Sequence, residues 1–198
     1  MFISELANIY SKKPYLNNII PFHEISPQLE LFINQEVRLG ARNLNPYRFS
    51  FKFAHNPKDV INLFIAFSTS NGPLKRLYRY DCNECGETNI LDDEQLKNFK
   101  CYNCSSNGNL ETKNFLEDVR VIFEIKEPYL RDVRTRLKDR ASSDKQEGRI
   151  KSGEAKQSEV SLKEVFDMNK NDKSPIDNDL LELEAELMHR LSYGLGHI

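Results

Sequence analysis

The sequence predicts an α+β protein in which N-terminal helices precede a small, mainly antiparallel sheet with a cysteine-bearing insertion, and a tethered helix lies at the C-terminal end. Three observations lead to this class. Apolar residues recur at helical spacing near both ends of the chain and at alternate positions between them. All four cysteines fall within residues 80–106. The 198 residues are 39 % apolar and 29 % charged, so we expect a modest core and long solvated stretches.

The N-terminal part is predicted to be helical. Residues 1–10 have apolar side chains on one side of a short helix. Pro21 argues against a regular element around it, because proline lacks a backbone N–H. A second helix is expected to begin with Ser26 as its N-cap and Pro27 at its first position. Gly40 is the expected stop of this helix.

The alternating segments are interpreted as four strands. In residues 47–53, Tyr and Phe alternate with polar side chains, which is typical of a strand with one buried face. Residues 60–68 are apolar almost throughout, as expected for a central strand. The other two strands are assigned to residues 74–80 and 119–126. The insertion is expected in the connection between these two, where it leaves the hydrogen-bonded ladder of the sheet intact.

Beyond the sheet, the sequence predicts a helix over residues 129–140 and a flexible linker over residues 141–159, which contain few apolar side chains. Residues 160–168 form a short amphipathic segment. Four leucines then mark one stripe of a closing helix: Leu180, Leu183, Leu187 and Leu191. We therefore divide the chain into an α+β domain (1–126, with the insertion at 80–106), a basic helix with the linker (127–160), and an acidic amphipathic helical segment (161–198).

The cysteines form two CxxC pairs with the spacing C-x2-C-x15-C-x2-C: Cys82, Cys85, Cys101 and Cys104. Two disulfides would suit a short secreted chain, and a redox motif needs only one CxxC pair. Four soft donors in two tight turns instead match tetrahedral zinc, and the spacing falls within the range of zinc sites. Gly86 directly follows the first pair, where the chain often needs a positive φ.

Residues 80–106 resemble a zinc ribbon of the C4 type. The resemblance implies that Cys82, Cys85, Cys101 and Cys104 bind one zinc ion, which is favoured over an iron–sulfur cluster. Four thiolates leave no position open for water, so the zinc is expected to be structural and to contribute its binding free energy to local folding.

Charge is unevenly distributed along the chain. Residues 1–126 are neutral overall, residues 127–156 carry a net charge of +3, and residues 157–198 carry −5. The ribbon is acidic, which makes it a poor surface for phosphates. The predicted strands are the more basic part, and their cations alternate with Phe and Tyr that could stack on bases: Arg48, Lys52, Lys75, Arg76 and Arg79. These residues indicate either a nucleic-acid surface or the ordinary polar face of a sheet.

One short segment resembles a nuclease motif. Glu124 and Lys126 lie two residues apart on a predicted strand, as in the third motif element of restriction-type nucleases of the PD-(D/E)xK family. That resemblance implies an upstream aspartate, for which only Asp81 on the preceding strand is available, while Asp118 lies on the same strand. The four histidines show no metal-ligand spacing, and no glycine-rich phosphate loop is present. We therefore expect no enzymatic activity and name no catalytic or cofactor-binding residue.

These features predict a non-enzymatic, zinc-binding adaptor or assembly component of a larger intracellular complex. It would contact protein partners through the ribbon and the C-terminal helix. The alternatives are a nucleic-acid-binding protein that uses the basic and aromatic strands, and a PD-(D/E)xK-like nuclease. No apolar run is long enough to span a membrane, and Glu5 interrupts the region where a signal peptide would be apolar. We therefore expect a cytoplasmic protein.

Overall fold

The computed structural model describes residues 2–107, 115–143, 158–170 and 176–194. It confirms the α+β class, and its four strands form one sheet in the order β1-β4-β2-β3. The strands are β1 (Asn43–Leu44), β2 (Leu74–Asp81), β3 (Thr88–Leu91) and β4 (Arg120–Ile125). The helices found in these ranges are α1 (Phe2–Lys12), α2 (Leu16–Ile19), α3 (Phe22–Arg38), α4 (Pro46–Phe53), α5 (Pro57–Phe67), α6 (Asp93–Lys97), α7 (Phe115–Asp118), α8 (Glu127–Ser143), α9 (Leu162–Asn169) and α10 (Asn178–Gly194).

The chain divides into two compact units. Unit 1 comprises Met1–Lys75 and Phe123–Ser158, and unit 2 comprises Arg76–Ile122 and Glu159–Ile198. The ribbon lies in unit 2. The division into an α+β domain, a basic helix with a linker and an acidic helical segment stays a prediction.

Unit 1 has an aromatic core built from helices and the end of β4. The Phe49 ring packs edge-on against Phe32 with 5.3 Å between centroids, and the Phe64 ring packs edge-on against Phe123 at 5.4 Å. Leu44 of β1 pairs antiparallel with Phe123 and is also buried. Edge-to-face pairs of this kind add about 0.5–1.5 kcal/mol each to the stabilisation from buried area.

Unit 2 is organised around the β2–β3 hairpin. The two strands pair antiparallel, from Tyr78 opposite Leu91 to Asp81 opposite Thr88. Helix α10 contacts α9 and α6, and three leucines of its predicted stripe are fully buried there: Leu180, Leu183 and Leu187. These three leucines are therefore not available to a partner, whereas Leu191 of the stripe is half-buried.

Two of the predicted strands are helices. Residues 47–53 belong to α4 and residues 60–68 largely to α5. Asn45 caps α4 by accepting the Tyr47 N–H at 2.8 Å, and Asn56 caps α5 by accepting the Lys58 N–H at 3.0 Å. A proline follows each asparagine at the first helical position, where its missing N–H has no cost. For residues 60–68 the strand prediction was wrong because α5 is apolar on nearly every side. The spacing of apolar residues does not distinguish such a helix from a buried strand.

The N-terminal boundaries also differ from the prediction. Helix α3 begins at Phe22 with Pro21 as its N-cap, so Ser26 is not a cap and Pro27 lies inside the helix. Gly40 follows the helix with φ 88°, and its N–H donates to the Val37 carbonyl at 3.0 Å, which confirms the predicted stop.

The later elements agree with the prediction. The strands expected at 74–80 and 119–126 are confirmed as β2 and β4, and the helices of the C-terminal half are confirmed as α8, α9 and α10. Most of the predicted linker lies outside the described residues.

Candidate metal centre

The two CxxC pairs form turns with the same hydrogen bonds. In the first knuckle, residues 82–87, the Cys82 N–H donates to the Glu87 carbonyl and the Gly86 N–H donates to the Cys82 carbonyl, both at 2.8 Å. In the second knuckle, residues 101–106, the Cys101 N–H donates to the Ser106 carbonyl at 2.8 Å. The Ser105 N–H donates to the Cys101 carbonyl at 3.1 Å. Each turn bends the backbone so that both of its sulfurs point to one side.

Regular structure brings the knuckles together. The first knuckle connects β2 to β3, and the second follows the short helix α6. Asp92 caps α6 with a capping box that includes Gln95. Between α6 and the second knuckle, the Phe99 ring packs edge-on against Tyr80 of β2 with 5.1 Å between centroids. This aromatic contact holds the chain before the second knuckle against the β2–β3 hairpin.

The four sulfur atoms form a compact group. The Cys82 and Cys104 sulfurs are 3.7 Å apart, the Cys85 and Cys101 sulfurs are 3.6 Å apart, and all four lie within 4.8 Å of one another. Zinc–sulfur bonds of about 2.3 Å in a tetrahedron place the sulfurs about 3.8 Å apart. A disulfide would require about 2.05 Å. The cysteines are free thiols at the spacing that a single tetrahedral ion needs.

The donor set fits a closed mononuclear site. Each thiol offers one sulfur, and four sulfurs complete a tetrahedron without a position for water. An iron–sulfur cluster holds its thiolates around a core of several atoms, which requires a wider arrangement. Within the described ranges, this is the only group of three or more Cys, His, Asp or Glu residues with metal-ligand spacing. The predicted clustering of the cysteines is confirmed, and the identity of the ion stays a prediction.

Hydrogen-bond donors converge on the sulfur of Cys101. The backbone N–H of Cys104 has the strongest effect, and burial, which raises the pKa, has the next. Together with the Asn103 N–H and the Cys85 and Asn89 side chains, the Cys104 N–H outweighs burial and lowers the pKa of the Cys101 thiol to about 6. A thiol that ionises readily is a good metal ligand, because the thiolate is the form that binds.

The Cys104 thiol has the opposite tendency. The backbone N–H of Ser106 lowers its pKa, but burial and the three neighbouring cysteine sulfurs outweigh that effect and raise the pKa to about 12. Four thiolates this close repel one another, so a cation at the centre would stabilise the arrangement.

Asn89 is the residue of this site that sequence reasoning missed. Its side chain is fully buried on the inner face of β3 and donates to the Cys101 sulfur at 3.7 Å. Strand alternation could have found it: Asn89 and Leu91 point inward, whereas Thr88 and Ile90 point outward. A polar side chain at an inward position needs a hydrogen-bond partner, and the sulfurs are adjacent.

The basic and aromatic surface predicted on the strands is not formed as expected. Arg48 lies on a helix and contacts Glu36 at 2.8 Å. On β2, Arg76 is buried against Asp177, while Arg79 contacts Glu159 at 2.6 Å. The tyrosines between these cations, Tyr78 and Tyr80, are fully buried and so cannot stack on bases. The stacking partners that the nucleic-acid hypothesis requires are therefore missing from β2.

The residues of the predicted nuclease motif each have other partners. Glu124 lies 3.8 Å from the Arg42 guanidinium, and the Lys126 ammonium donates to the Ser70 carbonyl at 2.9 Å. Asp81 accepts a hydrogen bond from the Thr88 hydroxyl at 2.7 Å. No metal-binding group found in the described part of the chain includes these carboxylates. The nuclease hypothesis stays a prediction that activity measurements must test.

Comparison with known proteins adds no assignment, since no protein-family model, no curated protein and no solved structure matches the chain. None of the helices described is both long and apolar enough to cross a membrane.

Proposed function

We propose that this chain is a non-enzymatic adaptor or assembly component whose ribbon is held by a structural zinc ion. The observation that carries the proposal is the spacing of the four cysteine sulfurs, all within 4.8 Å of one another. Four thiolates around one ion leave it without an exchangeable position, so such an ion organises the chain instead of activating water. A metal-closed ribbon then presents a rigid surface that does not depend on a large core.

An exposed apolar pair on the ribbon provides the contact surface. Ile90 is 40 % exposed and Tyr102 is 60 % exposed, and the Tyr102 hydroxyl donates to the Ile90 carbonyl at 2.8 Å. Exposed aromatic residues of this kind often serve as anchors in protein interfaces. Unit 2 contains ten Lys and Arg against eighteen Asp and Glu, a net charge of −8. The partner that fits is a protein surface with basic residues around an apolar centre.

The C-terminal helix contributes through its outer face. Three leucines of its stripe are buried, so the surface left for a partner is the exposed side around Met188. Lys97 of α6 contacts Glu186 of α10 at 3.1 Å, and Arg190 donates to the Asn98 side chain at 2.9 Å, which keeps this face in a fixed position. The adaptor proposal therefore needs α10 folded onto its unit, not released from it.

Site-specific photo-crosslinking in the native cell tests the contact surface. A photoreactive phenylalanine derivative placed at Tyr102 should give a defined crosslinked protein, and depleting zinc should reduce its yield. The same group placed at Phe51 is the control, because Phe51 is 92 % exposed but lies in unit 1. Equal products from both positions, or none from Tyr102, would contradict the proposed surface.

A second candidate is nucleic-acid binding by unit 1. This unit contains eighteen Lys and Arg against twelve Asp and Glu, a net charge of +6. The exposed Phe51 ring stands beside Lys52 on α4 and could stack on a base. Titration with single-stranded and duplex DNA and RNA at several salt concentrations separates the two functions. Binding with a steep salt slope would support the second candidate, and no binding at high micromolar concentrations would exclude it.

A further inference from the structure

Asn89 lies between the two knuckles and bonds to both. It is 0 % exposed. Its side-chain Nδ2 is 2.9 Å from the Glu87 carbonyl, 3.4 Å from the Tyr80 carbonyl and 3.7 Å from the Cys101 sulfur. Its Oδ1 accepts the Tyr102 N–H at 3.0 Å. Both ends of the amide are therefore used inside the protein.

These partners belong to opposite sides of the cysteine group. The Glu87 carbonyl also accepts the Cys82 N–H at 2.8 Å, the bond that closes the first knuckle. Tyr102 follows Cys101 directly, inside the second knuckle. A single side chain thus connects the closing bond of one turn to the beginning of the other, although the knuckles are separated by the β3–α6 segment.

The amide is also suited to the charge of the site. Four thiolates around a divalent ion carry a net charge of about −2, and the surrounding unit 2 carries −8. An N–H that donates to a thiolate stabilises its charge and orients it without adding a full charge of its own. Aspartate has nearly the same size and keeps the acceptor for Tyr102, but it replaces the donor with an anion.

We infer that Asn89 is a positioning residue of the metal site, which sets the separation of the two knuckles and orients the Cys101 thiolate. It does not bind the metal itself. This inference rests on the proposed metal site and extends it to a residue outside the CxxC pairs. Partners that orient metal ligands typically change metal affinity by about 10- to 100-fold when they are replaced.

The test compares Asn89→Asp with Asn83→Asp. Asn83 is exposed inside the first knuckle, so its replacement adds the same charge near the sulfurs without removing the bonds of Asn89. Zinc affinity is measured by competition with a chromogenic chelator under reducing conditions, and the geometry by the absorption spectrum of the cobalt-substituted protein. We expect Asn89→Asp to lower zinc affinity about 10- to 100-fold and to alter the cobalt spectrum. Asn83→Asp should lower zinc affinity by no more than about fivefold, because the added charge is exposed to solvent.

A measurement on the unmodified protein gives an independent result. In the zinc-loaded protein, the side-chain amide hydrogens of Asn89 should exchange with solvent far more slowly than those of Asn83, because only the former are buried and bonded. If Asn89→Asp does not fold, the amide-exchange measurement alone tests the inference. Equal exchange at both residues, or equal zinc affinity of the two folded variants, overturns the inference. Failure of the unmodified protein to bind zinc would instead refute the proposed function.

Discussion

Gly86 and Ser105 occupy the same position in the two knuckles, directly after the second cysteine of each, and both have positive φ angles of 72° and 58°. Each donates its N–H to the carbonyl of the first cysteine in its turn. Glycine adopts this left-handed conformation freely, whereas serine pays a steric cost of roughly 1–2 kcal/mol. The first knuckle is therefore built without backbone strain and the second is not.

Substitutions at these two positions should have opposite effects on metal retention. Gly86→Ala should cost about 1–2 kcal/mol from the backbone alone, because nothing lies within 4 Å of the added methyl group. Ser105→Gly should stabilise the second knuckle by less than about 1 kcal/mol, because glycine also loses more chain entropy on folding. Chelator competition should show about tenfold weaker zinc binding for Gly86→Ala. Gly40→Ala is the control, because Gly40 also has a positive φ but lies in unit 1. Equal zinc affinity of Gly86→Ala and Gly40→Ala would contradict the prediction.

The buried pair of Arg76 and Asp177 should contribute strongly to the stability of unit 2. Both side chains are about 5 % exposed. Asn169 exchanges two hydrogen bonds with the Asp177 backbone, at 2.8 and 2.9 Å. Asp177→Ala should lower the free energy of unfolding by about 3–5 kcal/mol, because it leaves a buried guanidinium without its counterion. Urea denaturation followed by circular dichroism measures the loss.

Two further variants separate the buried charge from the packing. Arg76→Met combined with Asp177→Leu should recover most of the loss, apart from about 1 kcal/mol for the hydrogen bond that Asp177 accepts from the Asp179 N–H. Arg79 of the same strand, whose ion pair with Glu159 is partly exposed, is the control: Arg79→Ala removes this contact and should lower the free energy of unfolding by less than about 1 kcal/mol. A similar loss for Arg79→Ala and Asp177→Ala would show that burial is not the cause.

The knuckles were predictable from sequence because each places its two cysteines and its turn within six consecutive residues. The Arg76–Asp177 pair was not, since its partners are 101 positions apart and only the folded chain brings them together. Asn89 lies between these cases, because its inward position follows from strand alternation but its sulfur partner does not. Helix α4 was misassigned because its Tyr and Phe residues stand at every second position, as they would on a strand. The Asn45 cap and the proline that follows it favour a helix instead.

The nuclease hypothesis makes a prediction about activity. Glu124 lies beside the Arg42 guanidinium and the Lys126 ammonium donates to the Ser70 carbonyl, so we expect no magnesium-dependent cleavage of DNA or RNA by the purified protein. Glu124→Ala and Lys126→Ala should therefore give the same background as the unmodified protein in a gel-based assay. Cleavage by the unmodified protein that both substitutions abolish would show that the protein is an enzyme and would refute the adaptor proposal.

Removal of the metal should unfold the ribbon and leave the core of unit 1 intact. A segment of about 25 residues buries too little apolar area to fold without the metal, whereas the Phe32, Phe49 and Phe64 cluster of unit 1 contains no cysteine. Elemental analysis should find a single zinc ion per chain. After chelation, hydrogen exchange should become fast in residues 80–106 and remain slow in α3 and α5.

Single cysteine substitutions should each cause loss of zinc, with a larger loss at the two buried positions. Cys82→Ser and Cys101→Ser place a hydroxyl where the thiol is buried, whereas Cys85→Ser and Cys104→Ser leave it exposed to water. Asn83→Ser is the matched control, because it changes an exposed residue of the same turn that is not a ligand. All four cysteine variants should lose zinc to a chelator that the control resists. Zinc retained by any of them, or its absence from the unmodified protein under reducing conditions, would refute the four-cysteine site.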